Sequence, residues 1–252
     1  MRKFLLLLLI AGVCNVKEPK LDGAYENVRN AYSDSTFPMY DTSLFHNIKI
    51  FRNGYWISIT FRDLLAFKCY GGTYRIEDGK CIQTCNFNSF DSAAVGKADT
   101  LDYNLEGNKL SLEEFAAIDK YKVKHFKDEY LKANSTLALA NSSLEGIWKL
   151  KNQQMGDTKN FGNMEDGENI SEIKMYVYPY VAWAQYNLKR KKFIGAGIAA
   201  YQFDGDNLNE KYQFITYPRV LDMEFSITML SSNELMQVGF QQTFKETWER
   251  IK

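Results

Sequence analysis

Along much of the chain apolar and polar residues alternate with a period of two, the spacing that places every second side chain on one face of a strand. Met223-Glu-Phe-Ser-Ile-Thr-Met229 shows it most plainly. Asn47 to Phe51, Gly54 to Phe61, Phe67 to Ile76 and Cys81 to Phe87 carry the β-branched and aromatic enrichment of strands. Between the last two, Asp78-Gly79 is the dipeptide of a tight hairpin whose central residues both take positive φ. Gly71-Gly72 inside a strand predicts a bulge, a bend at a barrel corner, or the close approach of another group. Glu26 to Phe45 is polar, with Ser and Asp clusters and Pro38, and reads as a loop-rich opening. Ser111 and Glu114 are spaced as a capping box for a short helix, but the apolar spacing beyond Leu112 supports it only halfway, so that segment stays undecided.

The pattern is written twice. Leu21-Asp-Gly-Ala-Tyr25 is a weaker copy of Leu144-Glu-Gly-Ile-Trp148. From each copy the same anchors follow in the same order. Asn47-Ile-Lys-Ile50 answers Glu172-Ile-Lys-Met175, Trp56 answers Trp183, and the step from Tyr74 to Phe87 equals that from Tyr201 to Phe214. Asn108-Lys-Leu110 answers Asn233-Glu-Leu235, and His125 to Lys132 answers Thr243 to Arg250. The chain therefore divides into residues 21–132, a divergent copy, residues 133–143, a small polar linker, and residues 144–252, the clearer copy.

Alternation implies strands with one wet and one buried face, which finish as a sandwich or close into a barrel that has no unpaired edge. Leu144-Glu-Gly-Ile-Trp148 resembles the GxW opening of lipocalin-like barrels. With Ile173-Lys174, Trp183, Gly195, Gly197, Tyr201, Asp204-Gly205, Glu210 and the ending Glu246 to Lys252, the second half is similar to lipocalin-like (calycin-type) domains of exported Bacteroidetes proteins of unknown function. The expected fold class is all-β, two tandem small antiparallel lipocalin-like β-barrels after an N-terminal signal peptide. The resemblance implies that Trp148, next to Gly146, packs under Arg250 from the final strand and closes one end of the barrel. In the first copy Gly23, Tyr25 and Lys132 take those places.

Residues 1–14 read as an address. Arg2-Lys3 precedes an apolar run from Phe4 to Val13 that is shorter than the ~20 residues of a spanning helix, as in a cleavable export signal. Cys14 after Leu-Ile-Ala-Gly-Val resembles the lipidated cysteine of bacterial lipoproteins, while Val13, where that signal has a small residue, leaves ordinary cleavage open. The expected location is outside the cytoplasm, as an outer-membrane or cell-surface lipoprotein or else periplasmic or secreted. Any membrane contact would run through the N-terminal lipid.

Composition narrows the chemistry. Hydrophobic content of 45% and charged content of 25% describe a globular protein, and 15% aromatic residues with four prolines lean toward sheet. A net charge of zero gives no attraction for nucleic acid. Beyond Cys14 the cysteines are Cys69, Cys81 and Cys85. Cys81 and Cys85 lie ~13 Å apart along a strand, too far to bridge, which leaves Cys69 with either one, or buried thiols. No nucleophile elbow, phosphate loop or HExxH motif is present, and His46 and His125 both fall in the first copy, so no catalytic residue, metal or cofactor is expected. Asp204-Gly-Asp206 reads as a solvated hairpin turn. The aromatic excess is the remaining clue. Trp183, Tyr186 and Tyr201, with Trp56 and Tyr74 in the other copy, line a ligand pocket or else simply fill the barrels. The expected function is binding of a small apolar or amphipathic ligand, with a surface scaffold of filled barrels as the alternative.

Overall fold

The computed structural model describes residues 20–32, 45–62, 65–114, 126–133, 143–155, 158–159, 170–216, 222–239 and 243–251. The signal peptide, Cys14, most of the linker and the segment after Glu114 lie outside these.

The first copy forms β1 (Gly23–Tyr32), β2 (His46–Arg52), β3 (Tyr55–Arg62), β4 (Leu65–Glu77), β5 (Lys80–Asn88), β6 (Ala98–Glu106), β7 (Lys109–Glu114) and β8 (Phe126–Lys132). Neighbours pair antiparallel and β8 returns to β1, which closes an eight-stranded barrel. The second copy forms β9 (Gly146–Met155), a two-residue β10 (Thr158–Lys159), β11 (Ile170–Val177), β12 (Tyr180–Asn187), β13 (Lys192–Phe203), β14 (Asn207–Ile215), β15 (Asp222–Ser231), β16 (Glu234–Gly239) and β17 (Phe244–Ile251). Pairing of β17 with β9 closes the second barrel, with β10 added beside β9. The protein is thus all-β, two closed eight-stranded antiparallel barrels in tandem.

Registers show the duplication in detail. Tyr74 stands opposite Gln83 as Tyr201 stands opposite Glu210. Both copies then bulge at the same place, so that Gly71 faces Phe87 and Ile198 faces Phe214. A second shared bulge sits in each closing seam, between Asn27 and Arg29 in β1 and opposite Thr247 and Trp248 in β9. Gly71-Gly72 is therefore a bulge. A Cβ on Gly72 would lie 2.0 Å from the Thr84 carbonyl oxygen, which explains the glycine. The Asp78-Gly79 hairpin also forms, with φ of 52° and 72°.

One sequence expectation needs correction, and one open reading is decided. Glu26 to Tyr32 continues β1 rather than opening a loop; its polar residues fall on a partly exposed strand that pairs with β2 as far as Glu26 and with β8 along to Tyr32. Ser111 to Glu114 is strand and caps no helix, because Leu110 and Leu112 alternate into the barrel interior.

The barrels pack wall to wall. Ile48, Ile50, Ile57 and Ile59 of the first meet Ile173, Met175, Ala182, Ala184 and Ile198 of the second in one buried cluster. Phe87 stacks on Tyr186 at 5.0 Å and Phe61 on Phe214 at 6.3 Å. The Tyr180 hydroxyl donates to Glu26 at 2.7 Å, and Arg52 pairs with Glu145 at 3.3 Å. Strand contacts run β2 with β11, β3 with β12, β4 with β14 and β5 with β13. Since β2 to β5 correspond to β11 to β14, exchanging the copies maps this set onto itself, an internal twofold arrangement. It also explains β12, which is buried at every position and shows no alternation, since one of its faces lines the lumen and the other meets the first barrel.

Candidate functional site

One end of each barrel is plugged. Trp148 is completely buried, donates from its indole nitrogen to the Leu144 carbonyl at 2.8 Å, and carries the Arg250 guanidinium 4.1 Å above its ring. Arg250 also donates to the carbonyls of Glu145, Ser143 and Ser232. At Gly146, φ of 141° and the Arg250 side chain against its Cα leave no room for a Cβ. In the first barrel Lys132 stands 5.9 Å from the Tyr25 ring and donates to the Asp22 carbonyl at 3.0 Å, beside Gly23. The implied pairs Trp148–Arg250 and Tyr25–Lys132 are both in contact, the second with fewer bonds.

Beyond the plug the second barrel holds charge. Lys174, Glu172, Glu210 and Glu246 are all buried. Lys174 points inward between Ile173 and Met175, which face the other barrel, so the polar residue of that alternation lies inside the lumen. Its Nζ donates to Gln237 Oε1 at 3.2 Å, stands 3.6 Å from Glu210 and 4.0 Å from Glu246, and lies 4.8 Å from the Trp248 ring. Glu210 accepts from the hydroxyls of Tyr176 at 2.9 Å and Tyr212 at 2.6 Å, and Tyr212 accepts from Trp183 at 3.1 Å. Glu246 accepts from Gln153 at 2.9 Å and Trp248 at 3.2 Å, and Glu172 accepts from Gln185 at 3.2 Å.

Burial, with the Glu246 charge adding to it, pushes the Glu172 carboxyl up to about 8. Glu246 is raised as well, chiefly by burial. Two side-chain atoms buried in this cluster have no hydrogen-bond partner among the described residues, Gln237 Nε2 and Gln153 Oε1. A donor and an acceptor are thus left unanswered beside three carboxylates and one ammonium. Such atoms carry a desolvation cost until water or a ligand meets them.

The first barrel repeats the motif in reduced form. Lys49, at the place of Lys174, donates to Gln83 Oε1 at 3.1 Å and lies 4.7 Å from the Trp56 ring. Asp128 stands where Glu246 stands, while Gln83 replaces Glu210 and Asn47 replaces Glu172. Burial lowers Lys49 to about 8 and raises Asp128 to about 6, and each charge partly offsets the other's shift.

The predicted ligand-contact residues separate. Trp183 and Tyr201 lie inside the second barrel, Tyr201 edge-on to Tyr176 at 5.2 Å and to Tyr178 at 5.9 Å. Trp56 and Tyr74 line the first, Trp56 edge-on to Tyr70 at 5.2 Å and Tyr74 edge-on to Phe51 at 5.0 Å. Tyr186 faces the other barrel and not a lumen. The cluster around Lys174 was not picked out from the sequence. Its available signal was Ile-Lys at the same place in both copies.

Cys69, Cys81 and Cys85 are free buried thiols. Cys69 packs in the wall between the barrels and Cys81 inside the first, on opposite faces of one sheet, which separates that pair. Asp204 closes the turn before β14 by accepting from the backbone of Asp206 and Asn207. Among the described residues no group of side chains has the makings of a metal site, and no helix is long and apolar enough to cross a membrane. A depression of ≈ 580 Å³ is lined by residues of β13 to β16, including Gln202, Asn207, Asn209 and Glu224, and one of ≈ 340 Å³ by residues of β6 to β8. Neither includes the buried charges.

Comparison with protein families and with curated proteins finds no match. Among solved structures, a protein of unknown function of the DUF3598 family from Nostoc punctiforme aligns over 92% of this chain and 96% of its own, at 10% identity and a TM-score of 0.24. A likeness at that level carries no functional argument.

Proposed function

We propose that this is a non-enzymatic binding protein of lipocalin-like type whose ligand chamber is the charged part of the second barrel's lumen. The observation that carries the reading is the pair of unanswered amide atoms, Gln237 Nε2 and Gln153 Oε1, within a buried group of Lys174, Glu172, Glu210 and Glu246. A barrel built only for stability would gain by replacing such a cluster with apolar side chains. The aromatic plug at Trp148 and the polar chamber beyond it suit a small amphipathic molecule better than a wholly apolar one. Native mass spectrometry of protein purified from its own host provides the test. A recurring bound small molecule is expected, lost on substitution of Gln237 by Leu; protein that carries none, with or without the substitution, overturns the reading.

A second reading rests on the fully buried Trp148, Trp248 and Tyr176, which occupy much of that lumen. They favour a filled barrel that presents its outer face to a partner protein. Export, and anchoring through a lipid on Cys14, belong to the proposal on the strength of the N-terminal sequence. Cys14→Ser is expected to release the protein from the membrane fraction, and unchanged retention on fractionation removes the anchor.

A further inference from the structure

The two barrels act as controls for one another. They share strand order, bulges, plug and an inward lysine, so the first barrel shows what the fold requires around that lysine, namely one buried carboxylate, Asp128, with Lys68 and the exposed Asp99 also acting on it. The second adds two more. Glu172 replaces Asn47, whose amide nitrogen donates to Ser58 at 3.0 Å and Thr60 at 2.6 Å while its Oδ1 has no partner among the described residues, and Glu210 replaces Gln83. Three buried carboxylates then face a single ammonium, Lys174, whose distances to Glu210 and Glu246 are ion-pair and not hydrogen-bond distances.

Like charges brought together away from water repel strongly, and the interior answers by keeping a proton on one of them. Burial raises both Glu172, where the Glu246 charge adds to it, and Glu246, so the proton belongs to this pair. A cation from outside would serve the same purpose and add hydrogen bonds of its own. Its N–H groups match the carboxylates and the bare Gln153 Oε1, and an acceptor elsewhere on the molecule would match Gln237 Nε2. Trp248, whose indole donates to Glu246, provides ring surface beside that carboxylate, suited to an ammonium with an apolar body.

We infer that the second barrel's chamber selects a small amphipathic molecule bearing an ammonium group, held by Glu172 and Glu246, whereas the first barrel, with its charges balanced, does not. The inference rests on the binding reading above and adds the charge of the ligand.

Isothermal titration calorimetry of the full chain with benzylamine, benzyl alcohol and benzoate tests it, since the three share a ring and differ in charge. Benzylamine is expected to bind at least tenfold more tightly than benzyl alcohol, and benzoate not at all. Glu172→Asn, which installs the first barrel's residue, is expected to erase the benzylamine preference without lowering the thermal midpoint, and Asn47→Glu to leave binding unchanged. Equal or tighter binding of the alcohol or the acid overturns the charge inference while leaving the chamber as a binding site. Failure of all three to bind also overturns it, and the chamber itself is then judged by the small molecule, or its absence, in native mass spectrometry. A benzylamine preference that survives in a folded Glu172→Asn protein overturns the assignment to this carboxylate.

Discussion

Burying Glu172 beside Glu246 sets folding against ionisation. Its folded value of about 8 lies above the ordinary 4.5, so between those values the native state binds a proton that the unfolded chain lacks. The stability this group contributes is therefore full below about pH 4.5 and is lost as pH rises toward 8. Glu172→Gln removes the liability. Urea unfolding at pH 9 should show the variant more stable than the parent by ~1–3 kcal/mol, with the two converging near pH 4. Lys49 acts in the opposite sense. With its folded value lowered to about 8, its charged form costs stability at neutral pH, a cost relieved as pH rises from about 8 toward 10.5. The sequence displayed these residues but not their orientation. In Ile173-Lys174-Met175 an alternating strand ordinarily turns Ile and Met into the core and Lys to water. Here a second barrel covers the outer wall, so the apolar pair faces outward and the lysine faces in.

At the level of elements, the closing seams differ most between the copies. β17 meets β9 through Arg250, which covers Trp148 at 4.1 Å and reaches three carbonyls, while β8 meets β1 through Lys132, 5.9 Å from Tyr25 and bonded to one. Arg250→Met should therefore cost ~2 kcal/mol and Lys132→Met less than ~1 kcal/mol, read from urea midpoints at constant slope. Much of this level was legible beforehand. The glycine-aromatic plug, the Asp78-Gly79 hairpin and the Gly71-Gly72 bulge each depend on a few adjacent residues with one backbone solution. Illegible were strands whose burial depends on distant partners. Polar β1 is held beyond Glu26 by the distant β8, and β12, Tyr180 to Asn187, loses its alternation because both faces are covered. The buried charge cluster was hidden for the same reason, since Glu172, Glu210 and Glu246 meet only when β11, β14 and β17 curve around one lumen.

For the molecule as a whole, the wall between the barrels governs cohesion. Isoleucines, alanines, a methionine and stacked aromatic rings fill it, with Tyr180–Glu26 and Arg52–Glu145 as polar contacts between the halves. A protease site placed within residues 134–142 and cut after folding should leave the halves together. Size-exclusion chromatography of the nicked protein is expected to show one peak at the parent's position, and separation into two species without denaturant would show the wall to be weak.

The self-mapping set of strand contacts, β4 with β14 answered by β5 with β13, is the surface that two identical subunits present to each other about a twofold axis. Joining such a pair into one polypeptide removes the obligation to stay identical. Whatever altered one lumen of a symmetric dimer would have altered both; after fusion, the outer walls remain bound by mutual fit while each interior can change alone. The balanced lysine–aspartate pair of the first barrel and the crowded carboxylates of the second are what that freedom allows.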